Sequence, residues 1–437
     1  QTMKKSPRQA AVEALILVNE EGGYSNVVFN NIIKSSGLSG KDSAFAGVLF
    51  YGALERQLTL DHVLQKYSKQ PIKKLSPAVR EILRLSLYQL LYLNSVPESA
   101  AVNEGVKLAR ILRVSSAAGF VNGVLRSFLR DGKVIPPVQG GEPRQLSVAY
   151  SCPEWIIQKL LATYPKADVL SLLERSLGRP ELYARVNTTK ITADQLLEQL
   201  WLQGISAQKD GDLENCLVLS SLSSIEALPA FQQGLLYIQD KSSQICAQMV
   251  GAQPGETVLD VCSAPGSKAF TIAQAMAGRG RLIACDIYDE KVKKIAQGAQ
   301  RLGLTIIEPL KNDGGQYNQN LPKADRILCD VPCSGLGIIS RKPEIKYKKP
   351  EELAGLPKVQ LEILQTSAKY LKPGGRLVYS TCTVLPEENQ QVVEQFLQEN
   401  KNFVPEALPQ HNGGWHTTLF PNQRKTDGFF IATIKRL

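Results

Sequence analysis

V-L-D-V-C-S-A-P-G-S-K-A-F-T-I-A, residues 258–273, encodes a strand, a tight loop and the start of a helix. Val258 to Val261 is a short apolar run suited to a buried strand, Pro265-Gly266 is a sharp break, and from Ser267 onward the apolar spacing is helical. Such a loop leaves backbone N–H groups unpaired at a helix N-terminus, where the dipole favours an anionic group such as a phosphate or carboxylate. Twenty residues beyond Gly266, the run Leu282-Ile283-Ala284-Cys285 ends in Asp286. Nucleotide-binding α/β folds place an acid there for ribose hydroxyls. The ligand is therefore expected to contain a nucleoside. The loop is not G-x-G-x-x-G, which counts against NAD and FAD, and not G-x-x-x-x-G-K-[ST], which counts against ATP and GTP. S-adenosylmethionine fits best.

Around this motif strands and helices alternate. Val258–Val261, Leu282–Asp286, Thr305–Leu310, Arg326–Asp330, Arg376–Ser380 and Phe429–Ile434 read as strands, separated mostly by segments of helical length or periodicity. That pattern predicts a doubly wound, mainly parallel α/β sheet over residues 235–437, with ligands outside the carboxyl ends of its strands. Residues 145–234 read as a small α+β unit, with helices near Glu154–Tyr164 and Ala193–Gln203 and strands at Tyr183–Asn187, Ile205–Gln208 and Cys216–Leu219. The proline- and glycine-rich stretch from Ile135 to Gln145 marks a boundary. Residues 1–135 read as all helix: Ala10, Ala14 and Val18 set one face, Phe45, Val48, Leu49 and Leu54 another, and Val79 to Leu91 a third. Ser76-Pro77 and Pro97-Glu98 each open a helix.

Lysine and arginine exceed acids by ten over the 437 residues, which points to a polyanionic partner. Residues 1–135 hold 18 basic and 10 acidic side chains, so most of the surplus lies there. The helical part is the expected electrostatic docking surface. The apolar run Ala14 to Val18 is short and followed by Asn19, Glu20 and Glu21, unlike a signal peptide, and no apolar stretch is long enough to span a bilayer. A cytoplasmic, reduced protein is expected, so its eight cysteines are packed or chemically used. There is no C-x-x-C pair, and His62, His411 and His416 are not spaced to complete a zinc site; no metal is expected.

Two of those cysteines follow apolar strands directly, in Asp330-Val331-Pro332-Cys333-Ser334-Gly335 and Ser380-Thr381-Cys382-Thr383. If the two strands are neighbours, their spacing of roughly 4.8 Å lets both thiols face one crevice. Each alone would pass for a small buried hydrophobe. Together, beside a methyl-donor loop, they suit one reaction. Carbon 5 of cytosine is a poor nucleophile until a thiolate adds at carbon 6 and turns the ring into an enamine. The proton on carbon 5 must then leave, for which a second polar group beside the ring is useful.

The chain resembles two known families. The segments SPRQAAVEALILVNEEGGYSN, LSPAVREILRLSLYQLLYLNSVPESAAVNEGVKLAR and FVNGVLRSFLR look like the NusB family of helical RNA-binding modules, which implies a basic RNA face drawn from Arg80, Arg84, Lys107, Arg110 and Arg113. Residues 145–437 resemble the RNA cytosine-5 methyltransferases (Nol1/Nop2/Sun). With the NusB-like N-terminus, the resemblance implies a monomer acting on 16S ribosomal RNA, free or partly assembled; the alternatives are the same methylation on transfer RNA and a catalytically silent RNA-binding or ribosome assembly factor. By matching motif, Cys262, Ser263, Ala264, Pro265, Gly266, Ser267 and Lys268 would line the cofactor, Asp286 would hold its ribose, and Asp313 would lie near the adenine. Asp330 would sit between cofactor and base, Cys382 would be the nucleophile, and Cys333 would help complete the reaction. The family usually reads C-A-A-P-G-G-K-T, so Ser267 stands where a glycine lies close to the cofactor. The segment Ser340-Arg341-Lys342-Pro343-Glu344-Ile345-Lys346-Tyr347 keeps Arg341 and Lys346 of the usual R-R-x-P-D-I-K-W, and both are expected to meet phosphate.

Overall fold

The computed structural model describes residues 5–220, 224–408 and 414–437. It divides into two compact units: Gln1–Arg179 with Ile339–Lys348, and Pro180–Ile338 with Lys349–Leu437.

The first unit is helical from Pro7 to Arg175, running past the predicted linker through the helices Glu142–Tyr150, Glu154–Thr163 and Lys166–Arg175. Proline at the first helical position opens Pro7–Glu21 and Pro77–Tyr92, where its missing N–H has no intrahelical acceptor to lose. The three predicted apolar faces meet in one core: Ala10, Ala14, Leu49, Leu54, Leu83 and Leu87 are all fully buried. Helix Pro77–Tyr92 is buried nearly all round, including the polar Glu81, Arg84 and Gln89. That corrects the expected basic face. Arg84 donates twice to Asp61, at 2.8 and 2.7 Å, and through Nη1 to Glu81 at 2.8 Å and Gln57 at 2.6 Å. Arg80 pairs with Glu20 and Glu81. Both arginines serve the inside of the bundle; Lys107, Arg110 and Arg113 remain exposed.

The segment Ile339–Lys348 completes this unit by finishing two helix ends. The Glu344 carboxylate accepts from Ser25 N at 3.0 Å, where helix Ser25–Ser36 has no capping side chain of its own. At the end of helix Gly40–Glu55, Lys346 Nζ donates to Glu55 O at 2.7 Å and Tyr347 Oη to Leu54 O at 2.7 Å. Lys346 is fully buried, and burial lowers its pKa to about 8. It is a capping group here rather than the expected phosphate contact.

The second unit carries two sheets. In the smaller, β1 (Leu182–Val186), β2 (Ala207–Lys209), β3 (Cys216–Leu219) and β4 (Leu236–Ile238) pair antiparallel in the order β2-β3-β1-β4. Sequence reading set Leu235–Asp240 at the start of the following α/β segment; pairing of β4 with β1 places it here instead. Helix Ala193–Leu202, capped by the Thr192/Gln195 box, packs Leu196 and Leu200 into the core of this sheet.

The larger sheet contains β5 (Thr257–Asp260), β6 (Arg281–Asp286), β7 (Ile307–Lys311), β8 (Ala324–Asp330), β9 (Leu371–Thr381), β10 (Phe403–Pro405), β11 (His416–Leu419) and β12 (Phe429–Arg436). Its order is β10-β12-β9-β8-β5-β6-β7, with β11 also on β12. β7 through β9 run parallel, while β12, β10 and β11 are antiparallel additions. Successive side chains enter opposite layers. Val258, Leu282, Leu328 and Val378 pack with helices Ser267–Ala275 and Asp289–Leu302, whereas Leu259, Ile283, Ile327 and Leu377 pack with Leu356–Ala368 and Gln390–Glu399. This is a Rossmann-like, doubly wound arrangement. Because β5 borders both β6 and β8, the order reverses at β5, and a crevice opens beyond its carboxyl end.

Candidate active site

Parallel pairing sends the ends of β5, β6, β7, β8 and β9 to one edge of the sheet. All the site residues singled out in the sequence lie there: the loop Cys262–Lys268 after β5, Asp286 ending β6, Asp313 two residues beyond β7, Asp330 ending β8, Cys333 three residues on, and Cys382 directly after β9.

The loop after β5 is held by its neighbours. Val261 N donates to Leu328 O at 3.1 Å and Ser263 N to Cys285 O at 2.7 Å, while Gly266 N closes the turn onto Ser263 O at 2.7 Å. The Ala264–Pro265 peptide is cis. Gly266 has φ 105°, and a Cβ there would lie 2.7 Å from the Phe270 ring, so this position needs glycine. Ser267 does not: it is the first residue of helix Ser267–Ala275 and has no positive φ. A serine there therefore costs the loop no backbone strain.

Asp260, which sequence reading left unassigned, is 1% exposed, and neither carboxylate oxygen has a hydrogen-bond partner among the described residues. Burial, reinforced by the charge on Asp330 and offset only in part by the nearby Ser263 hydroxyl, Lys268 and the Cys262 backbone, none of them in well-formed hydrogen-bond geometry, raises its pKa to about 7. The signal available in the sequence was an acid closing an apolar strand just ahead of the loop. One strand over, Asp286 is buried and accepts from Tyr288 N at 3.2 Å. Asp313 is exposed, and its Oδ1 accepts from Gly315 N at 2.9 Å, so it also shapes the local turn. An open groove of about 630 Å³ runs from Ile287 past Asp313 to Asn320. Orphaned acceptors at Asp260, an acid at the end of β6 and a groove beyond it fit a ligand bearing a cationic group, a ribose and a base.

On the other side of β5, β8 and β9 are in register with Asp330 opposite Ser380. Ser380 Oγ donates to Asp330 Oδ1 at 2.8 Å, and Lys268 Nζ to Asp330 Oδ2 at 2.7 Å. Burial works against the charge on Lys268, but the charge and hydrogen bond of Asp330 outweigh it and hold its pKa above the ordinary lysine value. Lys268 thus joins the cofactor loop to β8 rather than facing solvent. Cys333 Sγ and Cys382 Sγ lie 3.3 Å apart, both half-buried. The hydrogen bond to Cys382, then burial, pushes the Cys333 thiol well above its ordinary 9. By contrast, Cys152, Cys216, Cys246, Cys285 and Cys329 are buried packing groups whose thiols burial pushes up to about 12. Among the described residues no group of three His, Cys, Asp or Glu side chains could hold a metal ion, and no helix is long and apolar enough to cross a membrane. His411 lies outside the described residues.

Comparison with known proteins adds three family matches. Residues 247–435 match the family described as 16S rRNA methyltransferase RsmB/F, residues 5–130 the NusB family, and residues 152–226 the RsmF/B-like ferredoxin-like domain. The chain is 38% identical to a probable ribosomal RNA small subunit methyltransferase B of Bacillus subtilis (strain 168), covering 99% of both. It is 33% identical to ribosomal RNA small subunit methyltransferase B of Proteus mirabilis (strain HI4320), covering 98% of both. Among solved structures it resembles PH0851, with a TM-score of 0.83 and 21% identity over 100% of both chains. It also resembles a methyltransferase homologue from Pyrococcus horikoshii, with a TM-score of 0.60 and 26% identity, covering 68% of this chain and 100% of the other.

Proposed function

This chain belongs to the 16S rRNA methyltransferase RsmB/F family, and on that premise we propose that it transfers a methyl group from S-adenosylmethionine to carbon 5 of a cytosine in 16S ribosomal RNA. The observation that carries the reading is the pair of thiols 3.3 Å apart at the ends of neighbouring parallel strands. A single reactive cysteine would suit many chemistries. Two, beside a methyl-donor loop, suit one that must add to a ring and later leave it.

In this reading Cys382 adds as thiolate to carbon 6, and carbon 5 becomes nucleophilic as an enamine. The bound cofactor supplies an electrophilic methyl group. Negative charge displaced towards the ring nitrogen and carbonyl during addition is best met by a fixed cation, which Lys268, held in place by Asp330, provides. Once Cys382 is bonded to carbon 6, Cys333 loses the hydrogen bond that keeps it a thiol; as a thiolate it takes the carbon 5 proton, the carbon 6–sulfur bond breaks, and Cys382 leaves as a thiolate. Asp260 would receive the cationic end of the cofactor, Asp286 its ribose, and Asp313 with the adjoining groove its adenine; Cys262 to Lys268 would line it between them. The exposed Lys107, Arg110 and Arg113 supply phosphate contacts on the NusB-like unit.

A base inside a helix must be rotated out of its stack at a cost of roughly a few kcal/mol, so free or partly assembled RNA is the expected substrate and fully assembled small subunits a poorer one. Incubation with methyl-labelled S-adenosylmethionine and small-subunit ribosomal RNA, followed by nucleoside analysis, tests the assignment. Label in 5-methylcytosine is expected; label confined to any other base rejects it.

A further inference from the structure

Beneath the two thiols lies a buried polar cluster that the reaction scheme leaves unused. Glu388 closes the short turn Pro386–Glu388 after β9 and is 1% exposed. Its carboxylate accepts four hydrogen bonds: from Ser334 N at 2.9 Å, Gln360 Nε2 at 2.9 Å, Ser334 Oγ, and Thr383 Oγ1 at 3.3 Å. Gln360 Nε2 also donates to Pro332 O at 3.0 Å. The adjacent Asn389 is fully buried; its side chain accepts from Thr381 Oγ1 at 2.6 Å and donates to Thr383 O at 3.1 Å. Tyr379 Oη anchors the turn by donating to Glu388 O at 2.6 Å.

The positions of these contacts in sequence are the point. Pro332 and Ser334 bracket Cys333, while Thr381 and Thr383 bracket Cys382. Every bracket residue is tied to Glu388 directly or through Gln360 or Asn389. Direct bonds also cross between the two loops, from Ser334 Oγ to Thr383 Oγ1 at 2.8 Å and from Gly337 N to Cys382 O at 2.9 Å; Glu388 adds one carboxylate that gathers both loops, as thiols held within van der Waals contact require.

We propose that Glu388 is a positioning residue that locks the Pro-Cys and Thr-Cys loops together and so sets the placement of both reacting thiols. The proposal rests on reading Cys333 and Cys382 as the reacting groups. Glutamine can replace the carboxylate in part: its oxygen faces Ser334 N and Gln360, and its NH2 faces Ser334 and Thr383, whose hydroxyls can turn to accept. Alanine takes the acceptor away from Ser334 N, Gln360 Nε2 and Thr383 Oγ1, and leaves Ser334 Oγ only Thr383 Oγ1, 2.8 Å away.

The test compares wild type, Glu388→Ala and Glu388→Gln in the full chain by two readouts. The first is steady-state methylation. Glu388→Ala is expected to lower kcat about a hundredfold with KM for S-adenosylmethionine within about twofold, because the cofactor loop is not tied to this cluster, and Glu388→Gln to recover at least about tenfold. The second does not depend on activity. Diamide oxidises the two thiols to one disulfide, taking up their two electrons and two protons as it becomes the hydrazine, and peptide mass spectrometry follows Cys333–Cys382 pairing. Pairing should be at least about tenfold slower in Glu388→Ala and near wild type in Glu388→Gln. Pairing unchanged by alanine, glutamine behaving like alanine in both readouts, or a rise in KM matching the fall in kcat would each overturn the proposal. If wild type makes no 5-methylcytosine while pairing still depends on Glu388, the functional reading fails and the positioning role stands; if it makes 5-methylcytosine and pairing is indifferent to Glu388, the positioning role alone fails.

Discussion

The two units treat buried charge in opposite ways. In the helical unit Glu81 and Asp61 are paired with Arg80 and Arg84, and Lys346 ends on a backbone carbonyl, so the charges are consumed in holding helices together. In the methyltransferase unit the edge of the large sheet leaves both Asp260 carboxylate oxygens without a hydrogen bond among the described residues and sets two thiols against each other. Unmet polar groups in a core normally cost stability. At the end of β5 such groups border a crevice, where a ligand can complete them, whereas the ion pairs of the bundle, which leave one Glu81 oxygen unmet, hold helices together.

The largest expected effect that sharpens this contrast is catalytic. Asp330→Asn keeps the shape but removes the charge that holds Lys268, and methyl transfer should fall about a thousandfold, roughly 4 kcal/mol, with the melting temperature also lowered by the stranded lysine. A single-turnover assay alongside a melting curve checks both. In the bundle the consequence is for stability alone. Arg84→Ala strands Glu81 and Asp61 and should cost about 3 kcal/mol of stability by denaturant titration, with cofactor affinity unchanged.

Asp260 gives a smaller effect with a definite sign. Its pKa rises from an ordinary 3.8 to about 7 in the fold, so the folded state binds the proton more tightly than the unfolded chain. Its favourable contribution is therefore present below pH 4 and lost as pH rises to 7. Asp260→Asn should make the cofactor-free protein about 2 kcal/mol more stable at pH 8, flatten that pH dependence and weaken S-adenosylmethionine binding. Melting curves at pH 5 and 8 with and without cofactor test it; lower stability at pH 8 would mean that Asp260 is structural, like Glu81. The smallest effect is on RNA. Replacing Lys107, Arg110 and Arg113 by alanine should weaken binding by several-fold and flatten its salt dependence, whereas losing buried Arg84 should not change the salt slope.

The same contrast explains what was legible in the sequence. Strand ends are punctuated: an apolar run followed by Asp330-Val-Pro-Cys or Ser-Thr-Cys382 states both where the strand stops and which edge the loop occupies, given parallel topology. Hence β5, β6, β8 and β9 were placed to within a few residues, apart from the earlier start of β9 at Leu371, and the site residues along one edge. Helix faces carry no such punctuation. Arg80 and Arg84 sit four apart among leucines, and nothing local distinguishes a solvated arginine from one enclosed by Gln57, Asp61 and Glu81 of the same bundle. The capping role of Lys346 is hidden for a related reason: its partner, Glu55 O, lies 291 residues away and is a backbone carbonyl, which no side-chain pattern announces. The short edge strands β10 and β11 were too brief for a period to register.

The division of labour between the two thiols is the centre of this account, and one denaturing gel tests it. Cys382→Ala and Cys333→Ala are each mixed with small-subunit ribosomal RNA and S-adenosylmethionine, denatured, and examined for a protein–RNA adduct. If Cys382 adds to carbon 6 and Cys333 helps release it, Cys333→Ala accumulates the adduct, and Cys382→Ala gives neither adduct nor methylated RNA. An adduct with Cys382→Ala and none with Cys333→Ala would contradict the assignment.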